Sequence, residues 1–175
     1  VDGTGRELGE RREGRLQFRG PSATAGYFRN PEKTTALFDG EWLESGDLAY
    51  VAGGDIFITG RSKDIIIRAG RNIYPHEIEA VVGAIEGVRK GCVAVFGRSD
   101  PATGTERLIV LAETREEGGS ARQGLRARID EAVADIVDGA PDEVVLAPPR
   151  TVPKTSSGKI RRTAAAEMYM AGAIG

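Results

Sequence analysis

The period of the apolar positions changes near residue 60. Before it, short runs such as Gly14-Arg15-Leu16-Gln17-Phe18-Arg19 and Asp55-Ile56-Phe57-Ile58-Thr59 are separated by Gly, Pro and Asn turns. They predict a few small strands, too few for a core of their own, and residues 1–60 read as the end of a larger β-rich domain. After Gly60-Arg61, Ile65-Ile66-Ile67 and the residues around Ile73 flank Arg68-Ala69-Gly70-Arg71, which predicts a hairpin with glycine at the bend. Pro75 then opens a helix, with Glu77 and Glu79 placed in its first turn, where the dipole favours acids. Ile78, Val81, Val82 and Ile85 are spaced to share one buried face. Gly91–Phe96, Leu108–Ala112 and Val144–Leu146 are predicted strands. Ser120–Val137 is a predicted helix with Leu125, Ile129, Val133 and Ile136 inward, and Thr163–Met170 a short terminal one. Glu116-Glu117-Gly118-Gly119 reads as a flexible loop. Strands on each side of the long helix indicate a compact α+β or α/β unit.

Composition adds exclusions. The 175 residues have room for one medium domain, or a small domain and part of another. Lys+Arg total 24 against 26 Asp+Glu, a balance that argues against a general nucleic-acid binder. The single Cys92 lies in an apolar run and reads as a buried structural thiol, so no disulfide forms within the chain. No apolar stretch approaches the roughly 18 residues a membrane helix needs, and no targeting segment is evident, so a cytoplasmic location is expected. The chain opens on Val1 rather than Met, which suggests a piece of something longer.

The candidate chemistry concentrates near the end. Pro153-Lys154-Thr155-Ser156-Ser157-Gly158-Lys159-Ile160-Arg161-Arg162 puts a lysine after a small, flexible turn, in a stretch free of acids from Val144 to Ala166. Such a lysine can meet phosphate or carboxylate as a mobile point charge. It is not a Walker A loop: Pro153 replaces the first glycine and Ile160 replaces the magnesium-binding hydroxyl. Glu44-Ser45-Gly46-Asp47-Leu48 places a carboxylate on a glycine turn. That carboxylate could accept hydrogen bonds from two vicinal hydroxyls, or serve the turn itself. Thr59 to Glu79 is rich in charge and is either a solvated linker and hairpin or a functional segment.

Together, in this order, these segments resemble the adenylate-forming superfamily of acyl-CoA synthetases, luciferases and peptide-synthetase adenylation domains. Ser45-Gly46-Asp47 matches its (Thr/Ser)-Gly-Asp motif, and Gly60 to Glu79 its hinge motif. Pro153 to Arg161 matches its C-terminal Pro-(Lys/Arg)-Thr-x-Ser-Gly-Lys motif, and Gly20-Pro21-Ser22 with Gly26-Tyr27-Phe28-Arg29-Asn30-Pro31 a further stretch. The resemblance implies an α+β fold: a small C-terminal domain of a β-hairpin and a three-stranded sheet with flanking helices, preceded by a β-rich remnant of a large N-terminal domain. The implied boundaries are 1–60 for that remnant, 61–64 for a hinge and 65–175 for the mobile domain.

What it implies chemically is ATP-dependent activation of a carboxylic acid with release of pyrophosphate, then acyl transfer to a thiol. Lys159 would be the catalytic cation at the carboxylate, Asp47 and Arg61 the ATP/AMP-binding residues, and Lys63 the hinge position. Gly70 would face the CoA or pantetheine tunnel after the domain swings. Arg68, Arg71 and Arg98 are open as contacts to the acceptor's phosphates or as ordinary surface arginines, and His76 reads as solvated or capping. ATP with Mg2+ would be held mainly upstream, and no metal site is expected in this chain. The family's Pro-Lys-Gly phosphate loop and Tyr-Gly-x-(Thr/Ser)-Glu stretch do not occur here, so the 175 residues alone are expected to be inactive.

Gly70-Arg71-Asn72-Ile73-Tyr74-Pro75 and Gly87-Val88-Arg89-Lys90-Gly91-Cys92 resemble fatty-acid-activating members more than peptide-synthetase domains. The expected whole enzyme is a long-chain-fatty-acid–CoA ligase, whose partners are a fatty acid, ATP and CoA, with no nucleic acid. The alternatives are a fatty acyl-AMP ligase loading an acyl carrier protein, and a non-catalytic binding module that keeps the fold.

Overall fold

The structure is a computed structural model that describes residues 1–100 and 104–174. It divides into two compact units, Val1–Lys63 and Asp64–Gly175, each taken here by itself.

The first unit is built on strand β1 (Gly14–Phe18), helix α1 (Pro31–Leu37), and strands β2 (Phe38–Asp39), β3 (Trp42–Ala52) and β4 (Asp55–Arg61). All pairings are antiparallel, with β3 central: β1 and β4 pair with it, and β2 pairs at its start. Asn30 caps α1 by accepting from the Lys33 amide, and Pro31 takes the first helical position. Leu43 and Ala49 are the buried hydrophobics among the described residues of this unit, whereas Phe18, Trp42, Val51, Ile56, Phe57 and Ile58 are exposed.

One expectation is corrected here. Ser45-Gly46-Asp47 is not a turn but the interior of β3. Between the pairs Arg15–Leu48 and Gln17–Glu44 the two strands slip out of register, and Gly46 absorbs the irregularity at φ +76°. A glycine beside an acid reads as a turn locally. Pairing to β1 turns the same residues into a bulge.

The second unit begins with the hairpin β5 (Ile66–Arg68) and β6 (Arg71–Ile73). Helix α2 (Pro75–Val82) follows, then strands β7 (Val88–Asp100) and β8 (Thr105–Thr114). Helix α3 (Gly119–Val137), strand β9 (Glu143–Ala147) and helix α4 (Arg162–Met170) complete it. The sheet order is β7-β8-β9; the first pair is antiparallel, and the second is parallel across α3. Leu108 to Ala112 is a continuous apolar run because β8 is central and covered on both faces. Leu108, Val110 and Ala112 pack with Ile78, Val82, Leu125, Ile129 and Val133 on one side. Ile109 and Leu111 pack with Phe96, Val152 and Ala165 on the other. The α+β class, the hairpin, the three-stranded sheet and the flanking helices are as the sequence implied.

Helix α2 differs in detail from its predicted pattern. Ile78 and Val82 are fully buried, but Val81 is 42% exposed. At about 100° per residue, Val81 falls roughly 60° to one side of Ile78 while Val82 falls on the other, and the helix leans toward Val82. Ile85 lies beyond the helix end at Val82, half-buried in the following turn, and still packs against the core. Glu79 is past the first turn, where Glu77 is the acid facing the dipole.

Candidate functional site

Lys159 is exposed, on a loop that is more ordered than a flexible turn. Lys154 and Ile160 face each other as an isolated antiparallel bridge. Inside it the Thr155 amide donates to the Lys159 carbonyl (2.9 Å), the Gly158 amide to the Thr155 carbonyl (2.9 Å), and the Arg161 amide to the Pro153 carbonyl (3.0 Å). The Lys159 amide donates to Thr155 Oγ1 at 3.0 Å, and Gly158 turns the chain at φ +82°. The tip is thus a miniature hairpin. Lys159 Nζ makes no hydrogen bond or ion pair among the described residues.

Both ends of this loop are tied down. Upstream, Glu113 on β8 is 1% exposed and accepts from the Val152 amide at 2.7 Å, while Arg89 pairs with its other oxygen. Burial pushes the Glu113 carboxyl up. Hydrogen bonds from the Val152 and Arg150 amides and from Arg89 more than offset this, and hold it below the ordinary value of 4.5. Downstream, Arg162 donates to Glu79 and Asp64 at 2.7–2.8 Å. The Glu79 hydrogen bonds, more than any other cause, keep its guanidinium firmly charged. Between the two ends, Lys154 Nζ donates to Cys92 Sγ at 3.1 Å. Cys92 is 7% exposed, the buried free thiol that was expected.

The β5–β6 loop is Ala69-Gly70 with φ of +50° and +76°, the both-positive pattern of a type I′ hairpin turn. Gly70 sits at its tip in open space: a Cβ built there would meet nothing within 4 Å. The hairpin is held to β8 by side chains. The Ile67 amide donates to Glu106 at 2.6 Å, and the Ala69 amide to Thr105 Oγ1 at 3.0 Å. Arg68 pairs with Asp142 (3.4 Å), Arg71 with Asp138 (3.2 Å), and Arg98 lies 6.0 Å from the Tyr169 ring centre. Each of these arginines therefore has a structural partner. His76 is exposed beside Tyr74 and, among the described residues, no side-chain hydrogen bond caps the start of α2.

In the first unit, Asp47 and Arg61 are cross-strand neighbours on β3 and β4, with Arg61 Nε 3.2 Å from Asp47 Oδ1. Ser45 accepts from the Asp47 amide at 3.0 Å and donates to the Leu16 carbonyl, holding the bulge. Ser62 donates to the Gly46 carbonyl. Lys63 lies in the 3-10 turn Ser62–Asp64 and is the last residue of that unit. The structure therefore brings Asp47 and Arg61 together; Lys159 and Gly70 stand on separate loops of the second unit. Glu113, Asp64 and Arg162 were missed by sequence reasoning. The available signals were an acid ending an apolar strand and a second arginine beyond the lysine motif.

The family model described as "AMP-binding enzyme C-terminal domain" matches residues 77–159. A putative acyl-CoA synthetase of Caulobacter vibrioides is 39% identical, over 98% of this chain and 30% of the relative. The long-chain-fatty-acid–AMP ligase FadD26 of Mycobacterium marinum is 34% identical, over 89% of this chain and 29% of its own length. Among solved structures, McyG A-PCP complexed with phenylalanyl-adenylate superposes with a TM-score of 0.87 at 34% identity, covering 99% of this chain and 27% of that one. A structure from a study of fatty acyl-adenylate ligases from E. coli and L. pneumophila gives 0.83 at 29% identity, covering 99% and 30%. The chain belongs to the adenylate-forming superfamily through its AMP-binding enzyme C-terminal domain. It spans about 30% of the length of the curated relatives it matches.

Proposed function

We propose that this chain is part of an AMP-forming acid–thiol ligase that activates a fatty acid. The observation that carries the reading is the unpartnered Lys159 ammonium at the tip of a loop hydrogen-bonded throughout and tied at both ends. In the first half-reaction a carboxylate oxygen attacks the α-phosphorus of ATP and pyrophosphate leaves, giving an acyl-adenylate. Anionic groups converge there, and a fixed cation orients the carboxylate and offsets the charge. Lys159 fills that role, while Asp47 and its neighbour Arg61 bind the ribose hydroxyls and an adjacent phosphate oxygen. In the second half-reaction a thiol attacks the acyl carbon and AMP leaves. The exposed, unobstructed Gly70 backbone then lies along the pantetheine arm, after a swing about residues 61–64 with Lys63 as pivot. The split between units at Lys63 and Asp64 supports that pivot. No group of three or more His, Cys, Asp or Glu among the described residues is placed to hold a metal. Mg2+ would come with ATP, held chiefly by its phosphates and by residues outside this chain, so it needs no such group here, and no step is routed through it.

CoA is the acceptor favoured by the acyl-CoA synthetase relative. Delivery to an acyl carrier protein is the second reading, favoured by the similarity to an AMP ligase. In the full-length protein, Lys159→Ala is expected to abolish acid-dependent ATP–pyrophosphate exchange while transfer from preformed acyl-adenylate to CoA continues. Equal loss of both half-reactions would refute the assigned role. Faster transfer to a carrier protein than to CoA would select the second reading. The 175-residue chain alone is expected to release no pyrophosphate.

A further inference from the structure

Arg162 is the first residue of α4, three positions after Lys159. A cation there opposes the helix dipole, and α4 has neither an acid in its first turn nor a side-chain cap. Helix stability therefore gives no reason for an arginine at this position. Its guanidinium uses all three nitrogens on two carboxylates. Nε and Nη2 form a fork on Glu79 at 2.8 and 2.7 Å, and Nη1 reaches Asp64 at 2.7 Å. The three side chains are only 22%, 12% and 18% exposed. Glu79 Oε1 also accepts from the Val95 amide at 3.1 Å, so the same carboxylate joins α2 to β7. Asp64 is the first residue of the second unit, directly after Lys63. Arg162 therefore joins the start of this unit and its first helix to the downstream end of the Lys159 loop, and Glu79 carries that tie on to the sheet.

We propose that Arg162 is a positioning residue that fixes the Lys159 loop to the residue at which the second unit begins. Any rotation about 61–64 then carries Lys159 as part of a rigid body instead of on a slack loop. This rests on the roles given above to Lys159 and to the 61–64 pivot. A lysine would keep the charge at 162 but, as a single point donor, could not bridge both acids. Without the bridge the uncapped start of α4 frays and Lys159 is misplaced. Misplacement of about 1 Å can cost on the order of 100-fold in a positioned reaction. The second half-reaction, which does not use Lys159, is spared.

The test uses the full-length protein, with Arg162→Lys, Asp64→Asn and the reference variant Lys159→Ala. ATP–pyrophosphate exchange is measured with dodecanoate, and acyl transfer from dodecanoyl-adenylate to CoA or to a holo acyl carrier protein. Amide exchange across 153–161 and urea midpoints are read alongside. The proposal expects Arg162→Lys and Asp64→Asn each to slow exchange about 10- to 100-fold, with the KM for ATP little changed. Transfer should stay within about twofold, and the Thr155, Lys159 and Arg161 amides should lose protection. Asp64→Asn nearly preserves shape and so carries the test if Arg162→Lys fails to fold. Unchanged adenylation in both variants, with Lys159→Ala inactive, overturns this proposal alone. A parallel fall of both half-reactions with the urea midpoint also overturns it, because the fork is then only structural. Retained adenylation in Lys159→Ala overturns the role of Lys159 and this proposal with it.

Discussion

Removing the Glu113 carboxylate should destabilise the second unit strongly and loosen the approach to the lysine loop. At 1% exposure, Glu113 has no water to replace its partners, and the Val152 amide it serves belongs to a residue that is 5% exposed. Glu113→Ala leaves that amide without an acceptor, costing about 1–3 kcal/mol. It also removes the charge-assisted bond from Arg89. Arg89 is about a third exposed, so that arm is worth nearer ~1 kcal/mol than the full value of a buried pair. The expected total is about 3 kcal/mol, a large part of a domain's ~5–15 kcal/mol. Glu113→Gln, which keeps an acceptor for Val152, should cost about half of that. Urea titration followed by far-UV circular dichroism measures the global loss, and amide exchange at Val152 the local one. The pH dependence supplies a second arm. The folded carboxyl sits below its ordinary value, so its contribution is fully present above about 4.5 and disappears as pH falls through the lower folded value. The gap between wild type and Glu113→Gln should therefore close in acid. A Glu113→Ala cost under ~0.5 kcal/mol, or a gap that persists in acid, would refute the reasoning.

The two faces of α2 provide a contrast: Ile78→Ala should cost about 2–5 kcal/mol and Val81→Ala less than ~0.5, by urea midpoint. Equal costs would show that Val81 is buried after all. At the β5–β6 turn, Ala69→Asn should raise stability by about 0.5–1 kcal/mol, because asparagine adopts the left-handed conformation more readily. Gly70→Val should lower it by about 1–2 kcal/mol through backbone strain alone, since the space around Gly70 is open. Thermal melts of both variants check this, and an unchanged Gly70→Val would mean the turn is not type I′ in solution.

Much of the second unit was readable without coordinates. Leu108–Ala112 marked a strand, which the structure shows covered on both faces, and Leu125, Ile129 and Val133 marked the inner stripe of α3. Arg68-Ala69-Gly70-Arg71 marked the hairpin. These signals are local: the period of apolar positions follows directly from the geometry of one element. The lysine motif was equally legible, as was the pair formed by Asp47 and Arg61 as candidates. That they are cross-strand neighbours depends on the register of β3 against β4.

The sequence by itself determined most elements of the second unit, the inner stripe of its long helix and which lysine is the candidate for chemistry; it did not predict α1 in the first unit. Only the tertiary structure decided that Ser45–Asp47 is a bulge, that Lys159 stands on an ordered loop, and that Glu113 and Arg162 hold its two ends. The bond from Glu113 to Val152 spans 39 residues, and those from Arg162 span 83 and 98. No periodicity encodes contacts at such separations. They exist because burying the two faces of one sheet brings distant polar groups together, where each must find a partner or lose its solvation.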